Sequence, residues 1–121
     1  MTIKEVSDKL GLSVYTLRYY EKEGLVRNVK REPNGFRNYS DEDVGWLDLI
    51  MKLKLTRMPL KDLKKYADLY YANDPDMDKR IEILQVHKQR VQREIETLMI
   101  ADQVIDRKID IYTKQKQASL L

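Results

Sequence analysis

The segment Ser13-Val14-Tyr15-Thr16-Leu17-Arg18-Tyr19-Tyr20 gathers side chains that can address a polyanion. Arg18 can fork onto the O6 and N7 of a guanine or grip a phosphate. The hydroxyls of Thr16, Tyr19 and Tyr20 can bond phosphate oxygens. Ser13 can cap the helix that carries them, and a helix N-terminus itself favours phosphate. With Val14 and Leu17 turned inward, Tyr15, Thr16, Arg18 and Tyr19 project elsewhere. For Tyr20 a place in the core is an equal alternative. Downstream, Arg27, Lys30, Arg31 and Arg37 add four cations around the turn Pro33-Asn34-Gly35. Cations that flank a helix of this kind suit the backbone of double-stranded DNA.

Other chemistries lack their ingredients. The chain has 121 residues and no cysteine, which excludes disulfides, thiolate metal sites and a cysteine nucleophile. One histidine, His87, falls in a helical stretch and cannot build a multi-histidine metal site. No glycine-rich phosphate loop is present. Carboxylates spaced three apart recur, but on helices of this composition they read as solvated charge. No catalytic residue, metal ligand or cofactor is expected. The net charge of +3 is mild. Residues 1–40 alone carry an excess of three cations, 41–76 an excess of two acids, and 77–121 two cations. No apolar run approaches the roughly 18 residues that span a bilayer, and no signal peptide precedes the first helix. A cytoplasmic protein with no membrane contact is expected.

The elements that must hold the basic residues follow from caps and periodicity. Thr2-Ile3-Lys4-Glu5 reads as a capping box, Ile3, Val6 and Leu10 as a buried stripe, and Gly11 as a stop. Ser13 then opens a second helix, which ends at Gly24. Two short helices so joined match a helix-turn-helix. Leu25-Val26 and Phe36-Arg37-Asn38-Tyr39 flank the Asn34-Gly35 turn and predict a basic hairpin, or wing. Ser40 with three acids opens a third helix, which Met58-Pro59 ends. A fourth, with Leu60, Leu63, Ala67 and Tyr70 on one face, stops at Asn73-Asp74-Pro75-Asp76.

Residues 77–113 lack Gly and Pro and read as one helix. Ile81, Lys88, Ile95, Asp102 and Ile109 repeat every seven residues. So do Leu84, Val91, Leu98, Ile105 and Tyr112. Eight of these ten are apolar, which makes a coiled-coil seam and, by the need to cover it, a homodimer the economical reading. Lys88 and Asp102 either fix the orientation of that dimer or merely tolerate the seam. The fold class expected is mainly α. A winged helix-turn-helix DNA-binding domain, residues 1–71, precedes a long dimerising coiled-coil helix, 76–113, and a frayed tail, 114–121. Trp46, Tyr66, Tyr70 and Tyr71 form an aromatic group that is either plain core or the border of a pocket for an unknown small-molecule effector.

Ser13 to Leu25, read with Asn34-Gly35-Phe36-Arg37-Asn38-Tyr39-Ser40, resembles the DNA-binding region of MerR-type transcriptional regulators. The resemblance spans residues 1–71, and the terminal coil fits in kind. It implies dimerisation through an antiparallel coil of the last helix and binding to inverted repeats in promoters. In many members activation follows from bending and untwisting the DNA before RNA polymerase. Carried over by position, Tyr15 and Arg18 correspond to the major-groove reader. Thr16, Tyr19 and Arg37 match phosphate contacts, Arg31 and Asn34 lie where the wing approaches the DNA, and Tyr39 braces the wing. Many relatives hold a cation at the position of Tyr15, so the base preference here is open. Trp46-Leu47 and Met58-Pro59-Leu60 resemble a subgroup that responds to aldehydes or thiol stress through a cysteine. That position is Lys52 here, expected to be an ordinary solvated lysine. Arg57 stands at the family's usual glycine. With nothing after residue 121, no separate effector domain is expected. The rival readings are a coiled-coil interaction adaptor and a weakly specific DNA-bending protein.

Overall fold

The computed structural model describes residues 1–120 and contains five helices and one two-stranded sheet among them. Its contacts divide the chain into two units, Met1–Ile83 and the part from Leu84 onward.

In the first unit, α1 (Ile3–Leu10) opens with the expected box. Glu5 N–H donates to Thr2 Oγ1 and Thr2 N–H to the Glu5 carboxylate. Gly11 ends it in the left-handed region, φ 69°, where a side chain would be strained. After this turn Ser13 Oγ accepts from the Thr16 N–H at 3.0 Å and starts α2 (Val14–Lys22). Val6 and Leu17 bury completely where the two helices meet their neighbours.

The wing is smaller than expected and displaced. Its strands are β1 (Lys30–Arg31) and β2 (Arg37–Asn38), antiparallel, with Arg31 opposite Arg37. Leu25 and Val26 are not a strand. Their N–H groups bond back to the Tyr20 carbonyl, and both side chains lie wholly in the core. Asn28, at φ 60°, then redirects the chain into β1.

Ser40 and Asp43 form a second capping box at the head of α3 (Asp41–Leu55). Val44, Trp46, Leu47, Ile50 and Leu53 face the core. Arg57 then takes φ 67°. This left-handed position accounts for the glycine that the resemblance led one to expect there. Pro59 stands at the N-cap of α4 (Leu60–Tyr71), without a side-chain cap hydrogen bond. Leu63, Tyr66 and Ala67 bury, whereas Leu60 stays 39% exposed.

Helix α5 (Asp78–Ser119) has 42 residues and is about 63 Å long at 1.5 Å per residue. It runs on through residues 114–119, which the sequence reading set apart as a frayed tail. That stretch, Lys114-Gln115-Lys116-Gln117-Ala118-Ser119, holds good helix formers and no breaker. Lys114 bonds Asp110 one turn back, at 3.1 Å. His87, on this helix, is buried.

Candidate nucleic-acid interface

Helix α2 leaves a polar ridge in solvent because only every third or fourth residue is drawn into the core. Leu17 and Tyr20 go inward; Tyr15 is 80% exposed and Arg18 lies in the open. Ser13 is exposed as well, and its oxygen already serves as the cap and touches Thr16 Oγ1 at 2.8 Å. Thr16 and Tyr19 are half-buried at the edge of the ridge.

Tyr20 takes the place in the core that its position left open, and Tyr39, expected to brace the wing, is enclosed as well. Tyr20 is 2% exposed and Tyr39 1%, so neither hydroxyl can reach a phosphate. Tyr20 continues the buried stripe from Leu17, three residues earlier, and its carbonyl holds the turn that follows α2. Tyr39 sits between β2 and the cap of α3, where its N–H donates to the Met1 carbonyl at 2.7 Å. Burial raises the pKa of both phenols above the usual tyrosine value, so both stay neutral near neutral pH.

Glu21 ties the wing to the ridge. Its carboxylate accepts from Arg37 Nε at 2.6 Å and lies 3.4 Å from Arg31 Nη2. Arg31 also donates to the Gly35 carbonyl at 3.3 Å. A two-stranded ribbon this short is not stable alone, so this link to α2 fixes its direction. Lys30, Arg31 and Asn34 are exposed, while Arg37 keeps 19% of its side chain in solvent. Asn34 spends its side-chain oxygen on the Phe36 N–H, at 3.0 Å, which shapes the wing tip and leaves its amide hydrogens outward. Phe36 is 72% exposed there.

Arg27 does not join this face. It donates to the Gly24 carbonyl at 2.8 Å, pairs with Asp68 on α4, and lies over the Tyr71 ring at 5.1 Å. Sequence reasoning missed Glu21, and it missed Lys54, whose ammonium lies 5.3 and 5.2 Å from the ring centres of Tyr19 and Tyr20. Local pattern marks neither, since both depend on which helix faces meet. A third pair, Lys64 with Glu23 at 2.8 Å, lowers the pKa of the carboxylate and raises that of the amine through their hydrogen bond.

The four aromatic residues come together. Trp46 lies nearly parallel to Tyr70 at 3.9 Å and to Tyr66 at 5.4 Å, with Tyr71 edge-on at 5.9 Å. Trp46 Nε1 donates to the buried Leu25 carbonyl at 2.6 Å. The rings therefore pack on one another. An open cleft of about 320 Å³ lies beside them, reached by Trp46, Tyr70 and Tyr71 but not by Tyr66. Lys52 is exposed and pairs with Asp48 at 2.9 Å on its own helix.

Along α5, Ile81, Ile95, Leu98, Ile105, Ile109 and Tyr112 are between 47% and 62% exposed. Leu84 and Val91 are half-buried. The seam positions read from the heptad thus leave a long apolar stripe in water. No helix among the described residues is long and apolar enough to cross a membrane.

Comparison with known proteins places these features in a lineage. The profile of MerR HTH family regulatory proteins matches residues 1–69. An uncharacterized HTH-type transcriptional regulator of Haemophilus influenzae is 36% identical over 115 residues, covering 95% of this chain and 85% of that protein. The HTH-type transcriptional regulator AdhR of Bacillus subtilis is 35% identical over 91 residues, 75% of this chain and 65% of AdhR. Among solved structures, HiNmlR, a MerR family regulator lacking the sensor domain and bound to promoter DNA, superposes with a TM-score of 0.86. It shares 36% identity, over 95% of this chain and 91% of its own. A MerR family transcriptional regulator from Listeria monocytogenes also reaches 0.86, at 29% identity, over 93% of this chain and 85% of its own.

Proposed function

The chain belongs to the MerR HTH family and is a DNA-binding transcriptional regulator, and from that premise we propose how it engages its target. Two copies join through α5 and present two α2 helices to successive major grooves of one promoter duplex. Two symmetric heads read an inverted repeat. Tyr15 and Arg18 read base edges. Ser13, Thr16 and Tyr19 hold phosphates beside them, while Lys30, Arg31, Asn34 and Arg37 do so from the wing. Residues 1–71 form the reading domain and 76–113 the dimerising one. The protein works in the cytoplasm, without catalysis or cofactor, and distorts the promoter for RNA polymerase. The cleft beside Trp46, Tyr70 and Tyr71 is the place for a small effector.

One observation carries this reading. Glu21 bonds both wing arginines from the same helix that exposes Tyr15 and Arg18. Base-reading and phosphate-holding groups therefore form one rigid set, as recognition of a particular duplex requires. The HiNmlR complex with promoter DNA supports the same use of the fold.

A gel-shift series on the promoter beside the chain's own gene tests it. Retardation of that duplex, but not of random duplex at equal salt, is the expected result. Equal affinity for both would favour a DNA-bending protein, and no retardation at low salt would favour an adaptor.

A further inference from the structure

The cleft beside the stacked rings has a charge balance of its own. Glu42 and Asp43 line it from the first turn of α3, and neither has an ion-pair partner among the described residues. Glu42 accepts a hydrogen bond from the Tyr70 hydroxyl at 3.2 Å and stays exposed. Asp43 gives Oδ2 to the Ser40 N–H at 2.9 Å. Two arginines also reach the cleft. Arg27 is already neutralised by Asp68 on α4. Arg80 donates from Nη2 to the Asp74 carbonyl at 2.8 Å, and its Nε is shut away from solvent. Two carboxylates without a cation thus stand against one arginine without a carboxylate, an excess of negative charge.

The aromatic wall selects the same guest. An aromatic ring is negative on its face and draws a cation to within about 6 Å of its centre. The chain's own Arg27 does this, with its guanidinium 5.1 Å from the centre of the Tyr71 ring. Tyr70 offers a second ring beside the carboxylates. Trp46 stacks on it at 3.9 Å and Tyr71 meets it edge-on at 4.9 Å, yet it lines the cleft and is only half-buried. Burial, and then the charge of Glu42, raise its phenol above the usual tyrosine pKa, with Asp43 acting in the same direction. The field at that ring is therefore negative. An anion would be repelled by both carboxylates, and a neutral guest would leave their charge unused. The volume of about 320 Å³ lies at the small end of small-molecule sites, which span roughly 300–1,000 Å³.

We infer that the cleft takes a small organic cation, an ammonium or quaternary ammonium compound, held over the Tyr70 ring with Glu42 and Asp43 beside it. The inference rests on the reading of this cleft as the place of a small effector, and adds the effector's charge and size. The lining comes from Asn28 before β1, from α3, from the end of α4 and from Arg80 in the first turn of α5, so one bound cation bears on all four.

Trp46 is the single tryptophan, so its emission reports on the cleft directly. Choline and its uncharged carbon isostere, in which a tert-butyl group replaces the trimethylammonium, share a shape and differ in charge. Benzoate supplies an aromatic anion. Each is titrated into the full chain at constant ionic strength. Choline is expected to change the emission saturably, with the isostere about tenfold or more weaker and benzoate without effect. Glu42→Gln should raise the choline dissociation constant about three- to tenfold, and Glu42→Lys further. Far-ultraviolet circular dichroism like the parent's shows that both variants fold. Choline and isostere binding alike, benzoate binding in place of choline, or Glu42→Lys binding choline as the parent does would overturn the cation assignment and leave the cleft an effector site. Saturable binding of none of the three would sink the effector reading with it.

Discussion

Removing Arg37 should weaken DNA binding by more than one lost phosphate contact, because Arg37 also covers Glu21. The carboxylate accepts from Arg37 at 2.6 Å and from Arg31 only at 3.4 Å. In Arg37→Ala it turns a largely uncompensated negative charge toward the duplex. Two unit charges about 6 Å apart interact by roughly 0.7 kcal/mol in bulk water and 2.8 kcal/mol near a protein surface. A repulsion of about 1–2 kcal/mol thus adds to about 1 kcal/mol for the lost contact, together roughly 30–150-fold in affinity. Glu21→Gln added to Arg37→Ala removes the repulsion and should recover most of that second part. Fluorescence anisotropy on a labelled promoter duplex across a salt series measures both. The slope of log affinity against log salt should fall by about 0.9 in either variant, reporting one phosphate. A double variant as weak as Arg37→Ala, or an unchanged slope in both, would refute the reasoning.

Arg18→Ala should cost about 1–3 kcal/mol of binding and relax preference at one operator position, with the urea midpoint unmoved. Loss spread evenly over all sequences would assign Arg18 to phosphate. Trp46→Phe keeps an aromatic ring but strands the buried Leu25 carbonyl, so stability should drop by about 1–3 kcal/mol in urea unfolding; a smaller change would mean the carbonyl finds another donor. Burial raises the pKa values of Tyr20, Tyr39, Tyr66 and Tyr71, so the unfolded chain gives up these protons first. Their contribution is whole below about pH 10 and shrinks as pH climbs beyond it, which denaturation at stepped alkaline pH would show as a falling midpoint. Arg57→Gly relieves a left-handed residue at some cost in chain entropy, for a net gain of about 0–1 kcal/mol, whereas Arg57→Val should destabilise. A stable Arg57→Val protein would contradict the strain.

What was legible in the sequence was local. Thr2 with Glu5, Gly11 and Ser13 each act within four residues, so their types alone place α1, the turn and α2. The heptad of α5 is likewise a property of one helix. The unreadable parts depend on distance along the chain. Glu21 meets Arg31 ten residues away and Arg37 sixteen away, and Arg27 finds Asp68 at forty-one. No periodicity announces such pairs. Leu25-Val26 carries strong strand propensity, yet burial in the core outweighs it; of the true strands, β2 lies within the expected Phe36-Arg37-Asn38-Tyr39 run, while β1 has two cationic residues and almost no signal. Tyr20 and Tyr19 are neighbours of one type, and only packing decides that the first is core and the second borders the ridge.

Sedimentation of the complex with the intact promoter duplex, then with a duplex holding one half of the inverted repeat, bears most directly on the whole account. Two chains per intact duplex, and a marked loss of affinity on the half, are expected. A single chain per duplex, bound equally well to either DNA, would contradict it.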